Sequence, residues 1–168
     1  IRILRYQVPG FDQLSVKQKE MLYYLYEAAL AGRDIMYDQN YKYNLTIRKT
    51  LEAIIASSKN DKANAEYQKF MVYAKKVWFS NGIHHHYSSD KLIPECSQAY
   101  FESLIKAAPA NQLPLRNGET VDAFAKRILP IIFDPKIAPK KVNLDPAVDL
   151  VTNSAVNFHE GVTQKEVQ

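Results

Sequence analysis

Apolar residues recur along much of this chain at three- and four-residue steps, the spacing that lines side chains along one helical face. The first such stretch predicts a helix from Val16 to Ala31, with Met21, Leu22, Leu25, Ala28 and Ala29 as its stripe. Ser15 followed by Gln18 is a capping-box start, and Gly32 is a closing residue. Tyr23, Tyr24 and Tyr26 fill much of the remaining circumference, so this helix is expected to be buried on more than one side. From Arg33 to Tyr43 the stripe breaks. Asp34, Asp38, Gln39 and Asn40 stand among aromatics and predict a structured loop, with Arg33, Asp34 and Asp38 in a turn and salt-bridge network.

Asn44 reads as the N-cap of a second helix, Leu45 to about Ser58, and a polar connection runs from Lys59 to Asn64. The third helix spans roughly Ala65 to Phe79, with Phe70, Tyr73, Ala74, Val77 and Trp78 apolar. Ser80-Asn81-Gly82 ends it through a left-handed turn. Ile83 to Glu95 has no helical period and predicts loop or short strand. Ser97 caps a fourth helix to Ala108, stopped by Pro109. Asn117-Gly118 is a turn, and Thr120 opens a fifth helix, Val121 to Leu129, which Pro130 ends or kinks. Asp134 to Pro146 is proline-rich and extended along the surface, with a short helix after Pro146. The whole pattern predicts a mainly α, irregular region of about five to six helices with long loops.

Thr163 and Glu166 form another capping box close to the last residue, Gln168, while Ile1-Arg2-Ile3-Leu4 begins mid-pattern without an initiator Met. A lone helix needs roughly twelve residues to persist, so the chain reads as a segment of a longer protein.

Composition narrows the classes. With 46% hydrophobic residues in 168, the chain has enough apolar surface to fold, which excludes low-complexity disorder. Five glycines exclude a collagen-like repeat, and no apolar run is long enough to span a membrane. The net charge of +4 comes from 22 basic against 18 acidic residues, and the basic ones are spread in pairs such as Lys75-Lys76 and Lys140-Lys141. That distribution predicts no nucleic-acid partner, because a phosphate-binding surface concentrates its positive charge. One cysteine, Cys96, cannot form an internal disulfide. Of the tyrosines, Tyr24 and Tyr73 fall at helical spacing with leucines and are expected to pack.

The most visible candidate chemistry is His84-His85-His86-Tyr87. In an extended segment His84 and His86 project to one face at a spacing that suits a metal ion. A zinc site needs a third protein ligand, and outside the triplet only His159 supplies an imidazole. A polar loop whose imidazoles hydrogen-bond locally is the favoured reading. The edge of a binding cleft is another, since Asn, Gly, His and Tyr offer short-range donors and flat faces. His159-Glu160-Gly161 lacks the second histidine one turn on that a helical zinc motif requires; Thr163 stands there. Cys96 carries no nucleophile signature, and glycine loops that cradle phosphate are missing. Asn44-Leu45-Thr46 is a glycosylation sequon in form.

The order of segments resembles the N-terminal region of the dipeptidyl peptidase III family, in its Bacteroidetes-type members. The resemblance is carried by Ile3-Leu4-Arg5-Tyr6-Gln7-Val8-Pro9-Gly10-Phe11, by Leu14-Ser15 and the tyrosine-rich helix to Gly32-Arg33-Asp34-Ile35, by Val72-Tyr73-Ala74-Lys75-Lys76-Val77-Trp78, and by Ser80 through Tyr87 closing with Asp90-Lys91-Leu92-Ile93-Pro94. Gly161-Val162-Thr163 with Glu166 also fits. The resemblance covers essentially all of residues 1–168. It implies a two-lobed zinc exopeptidase that releases dipeptides from peptide N-termini, with this chain as the N-terminal helical region of the non-catalytic lobe. The zinc of the full-length parent, which polarises the scissile carbonyl and activates water, would be held by residues beyond this segment. This fragment is expected to hold no cofactor and to be inactive alone. Its partners would be short peptide substrates and the remaining lobe of the parent, in the cytoplasm. The resemblance places the segment Gly82 to Tyr87 at the interlobe cleft. Tyr87 and His86 are then the candidates to touch substrate, Asn81 and Gly82 shape the turn, and the resemblance assigns no role to His84 and His85, since eukaryotic members do not have three consecutive histidines there. Two other readings come from the residues themselves: a stand-alone helical interaction module, and a metal-binding protein built on His84 and His86.

Overall fold

The computed structural model describes residues 5–57, 61–155 and 159–168. The chain is mainly helical, and among the described residues it contains isolated β-bridges but no strand. No helix among them is long and apolar enough to cross a membrane. The chain divides into two compact units, residues 1–36 and 37–168. Ile1 to Leu4, where the family resemblance begins, lie outside the described residues.

The first unit holds a 3-10 turn (Phe11–Gln13) and helix α1 (Val16–Ala31). The predicted capping box is present: the Ser15 hydroxyl accepts the Gln18 N–H, and the Gln18 side chain accepts the Ser15 N–H at 2.9 Å. Two expectations for α1 fail. None of its residues is buried, and Tyr24 is 63% exposed. Its apolar side chains encircle the helix instead of forming one stripe, so no single packing face gathers them. Gly32 stays right-handed (φ −73°), and the backbone runs on after one residue into α2 (Arg33–Asn40).

Helix α2 replaces the predicted loop. Asp34 sits in its first turn, where a carboxylate suits the helix dipole. Its one buried side chain is Tyr37, whose hydroxyl donates to the Trp78 carbonyl at 3.4 Å while Arg48 lies over its ring. A helix anchored by a single aromatic has no apolar stripe to read, which is why the sequence shows no period there.

Helix α3 (Asn44–Ala56) starts at Asn44 but is not capped by it. Tyr43 occupies the cap position without a side-chain bond. Asn44 is fully buried, and its Oδ1 accepts the backbone N–H of Ile83 at 3.1 Å, 39 residues away. That burial also removes the sequon from solvent. Ile47, Leu51 and Ile54 form the inner face. Ser58 and the first part of the predicted connection, Lys59 and Asn60, lie outside the described residues. Asn64 caps α4 (Ala65–Ser80) through two backbone N–H groups. As expected, α4 ends with Asn81 in the left-handed region (φ 51°) and the Gly82 N–H bonded to the Val77 carbonyl.

Ser97 and Thr120 cap α5 (Gln98–Ala107) and α6 (Val121–Phe133) as predicted. Helix α5 packs on α6, and α3 packs against both α4 and α5. Phe101 centres the core, edge-on to Phe70 and Phe133 with ring centroids 5.3 and 5.6 Å away. Around it Tyr73, Phe124, Ile128 and Ile132 are fully enclosed.

Pro130 neither ends nor visibly interrupts α6, which continues to Phe133. The ring and Lys126, the residue whose carbonyl loses its intrahelical partner, both lie on the exposed side, while Ile131 and Ile132 are buried. Burial of the last turn outweighs the missing bond. The next segment, expected to be extended from Asp134, first turns: the Ile137 N–H bonds the Asp134 carbonyl and Ala138 is left-handed (φ 52°), and only beyond it does Lys141 pair with Ala155 through two backbone bonds. In place of the helix expected after Pro146 there are turns, because the Asp145 and Asp149 carboxylates take the backbone N–H groups of Ala147, Val151 and Thr152. Thr163 and Glu166 close a second capping box and start α7 (Gln164–Val167).

Candidate functional site

The segment leaving α4 carries every residue singled out for binding, and its conformation is fixed from several directions. Gly82 (φ 154°) and Ile83 are buried against Asn44. The Asn81 carbonyl accepts a bond from the Asn40 side chain at 3.1 Å. Leu92 N–H donates to the Ile83 carbonyl at 2.7 Å and His85 N–H to the Asp90 carbonyl at 2.8 Å, so the chain doubles back as a short β-like turn. Lys140 reaches in from the extended segment to the carbonyls of His85 and Ser88. Lys91 in return binds the carbonyls of Asp134 and Ile137, at 2.6 and 2.7 Å.

The three histidines serve different ends. His84 is buried, and its Nε2 lies 2.7 Å from the Ala138 carbonyl. A carbonyl only accepts, so Nε2 carries the proton. Burial lowers the His84 pKa against the opposing effect of that bond, and the nearby Lys91 and Lys140 charges lower it further. His85 Nδ1 accepts the N–H groups of Tyr87 and Ser88 and therefore shapes the turn. His86 is exposed and stands edge-on to Phe79 with centroids 4.9 Å apart, and Tyr87 lies against His86 at 4.4 Å. Phe79, His86 and Tyr87 thus form an exposed aromatic ridge, with Tyr87 88% accessible.

His84 and His86 are engaged on separate neighbours, Ala138 and Phe79. Among the described residues no group of three His, Cys, Asp or Glu side chains is placed to hold a metal ion. The triplet supplies hydrogen bonds and ring faces, and no converging donor set for zinc. Cys96 is buried, and burial pushes its thiol up to about 11, so it stays protonated at neutral pH.

A cavity of about 830 Å³ opens nearby, between the end of α2, the residues around Ala138, and the segments 151–155 and 159–163. Its wall is shared with the loop: Tyr41 lines it and faces the His84 ring at 6.1 Å, and Ala138 lines it and receives the His84 bond. Burial first, then the neighbouring Tyr43 and Glu160, push the Tyr41 hydroxyl up to about 12. Lys42 and Glu160 pair at the rim, where both are at least half exposed. These residues carry no local signature of a site. His159-Glu160 reads in the sequence only as an incomplete zinc motif, and nothing in the local pattern of Lys42 announces a partner 118 residues away.

The loop is therefore a rigid mount for an aromatic ridge, beside a cavity of mixed polarity. No family model matches the chain, and no curated protein matches it.

Proposed function

We propose that this chain is the N-terminal helical region of a dipeptidyl peptidase III-like protein, supplying scaffold and one rim of a peptide-binding cleft. The observation that carries the reading is the ridge of Phe79, His86 and Tyr87. Large aromatics that stay exposed while the backbone beneath them is clamped are a pre-organised contact surface, since binding need not first order them. An extended peptide laid across the ridge would find two ring faces and the His86 nitrogens, with neighbouring backbone held still by Lys140 and Asn40. The helical bundle under the loop, with Asn44 reaching from α3 to Ile83, is the scaffold in this reading.

No zinc and no chemical step is assigned to the described residues of this chain. Such a metal belongs to the part of the parent that the resemblance places beyond residue 168. In the full-length protein, His86→Ala and Tyr87→Ala should each raise KM for short peptides several-fold while kcat stays within about twofold, the pattern of lost ground-state binding. Unchanged KM in both variants would reject the cleft-rim role.

A further inference from the structure

We propose that the cavity between α2, Ala138 and the segments 151–155 and 159–163 binds a small organic amine, a primary ammonium carried on an apolar or aromatic body. The inference is independent of the peptidase reading. Two carboxylates, Asp38 and Glu160, line the cavity against one ammonium, Lys42, and one imidazole, His159. Lys42 is hydrogen-bonded to Glu160, so those two charges cancel at the rim. Asp38 makes no ion pair among the described residues, which leaves one negative charge for a ligand to neutralise. The Tyr41 hydroxyl is half-buried and also lacks a hydrogen-bond partner among the described residues. It keeps its proton at neutral pH, so it offers a lone pair to an N–H, and its ring offers a π face to a cation.

The apolar part of the lining suits the body of such a ligand. Pro139, Val151, Ala155 and Val162 supply apolar wall, and the volume of about 830 Å³ is in the range of small-molecule sites. One wall is held under strain. Ala138 adopts a left-handed conformation (φ 52°), unusual for a residue with a Cβ, and the buried His84 fixes its carbonyl from behind. Backbone strain of that kind, maintained by a buried side chain beside a cavity, matches a pre-shaped site. An anionic ligand would meet the surplus carboxylate, and a neutral one would leave it unneutralised.

Calorimetric titration of the full 168-residue chain at pH 8 with phenethylamine tests this. Saturable one-to-one binding is expected, with N-acetylphenethylamine, of similar shape but uncharged, at least about tenfold weaker. Phenylalanine, whose carboxylate would face Asp38, should also bind less well than phenethylamine. Asp38→Asn should weaken phenethylamine about tenfold without moving the thermal midpoint, because Asp38 is exposed on its helix. Lys42→Met, which frees Glu160, should strengthen it. The proposal is overturned if phenethylamine shows no binding up to about 10 mM, if the acetylated compound binds equally, or if Asp38→Asn leaves the affinity unchanged.

Discussion

Asn44 shows how a residue can be placed correctly and assigned the wrong partner. Its position before an apolar run fits an N-cap, yet its side chain leaves the helix end uncapped and instead binds Ile83 in the segment after α4. A local pattern cannot reveal a partner 39 residues away. Gly82 is the other half of that contact. A Cβ there would come within 2.2 Å of Asn44 Nδ2 and 2.7 Å of its Cγ, and Asn44 is fully buried with no room to retreat. The φ of 154° adds backbone strain for any side chain. Gly82→Ala should therefore lower unfolding free energy by about 2–3 kcal/mol. Urea denaturation measures this, and a loss below about 0.5 kcal/mol would mean that the Asn44–Gly82 packing is not tight. Gly82 thus acts by admitting Asn44 under the loop, whereas His86 and Tyr87, legible as a polar-aromatic cluster, hold the exposed positions.

At the scale of elements, helix starts are the most legible feature, because a cap is a local exchange between a side chain and N–H groups two or three residues on. Ser15, Ser97, Thr120 and Thr163 all cap as the sequence indicates, while Asn64, read only as the end of a connection, also caps. Helix stops are less legible, since the fate of the chain past a stop signal depends on burial elsewhere: Pro130 lies inside α6 because Ile131 and Ile132 are drawn into the core. The approach to α6 carries its own electrostatic fastening. Arg127 Nε and a second guanidinium nitrogen donate to the two Glu119 oxygens at 2.7 and 2.8 Å, and Arg116 N–H adds a third bond. The Arg127 bonds hold the Glu119 carboxyl down at about 2. In the unfolded chain a glutamate titrates near about 4.3. The folded state then binds fewer protons between those values, so this contribution is complete above the unfolded pKa and disappears as pH falls toward 2. Glu119→Gln should be less stable than the parent at pH 7, and the gap should close on acidification from about pH 5 to about pH 2. Thermal melts of both proteins across that range check it; a pH-independent gap would assign the effect to packing instead.

At the scale of the whole molecule the division into two units has an energetic meaning. Among the described residues every buried hydrophobic one, from Tyr37 through Ile132, belongs to the second unit, and α1 contributes none. The sequence overstates α1 because aromatic content alone does not bury a helix; burial needs a face shared with other elements. Cooperative unfolding comes from enclosed apolar surface, so the helices α3 to α6 should supply nearly all of it. A chain of residues 33–168, beginning at Arg33 so that α2 and the Tyr37 anchor stay intact, should fold by itself. Its thermal midpoint should lie within about 5 °C of the full chain, because the core that sets the unfolding enthalpy is unchanged. The denaturant m-value should fall only slightly, since m follows the surface exposed on unfolding and α1 is already exposed. Near-UV circular dichroism of the truncated chain should retain the signal of the packed Tyr73 and Phe101 rings. Loss of that signal, or a non-cooperative melt, would show that residues 1–32 stabilise the second unit. The core would then have to be counted over the whole chain.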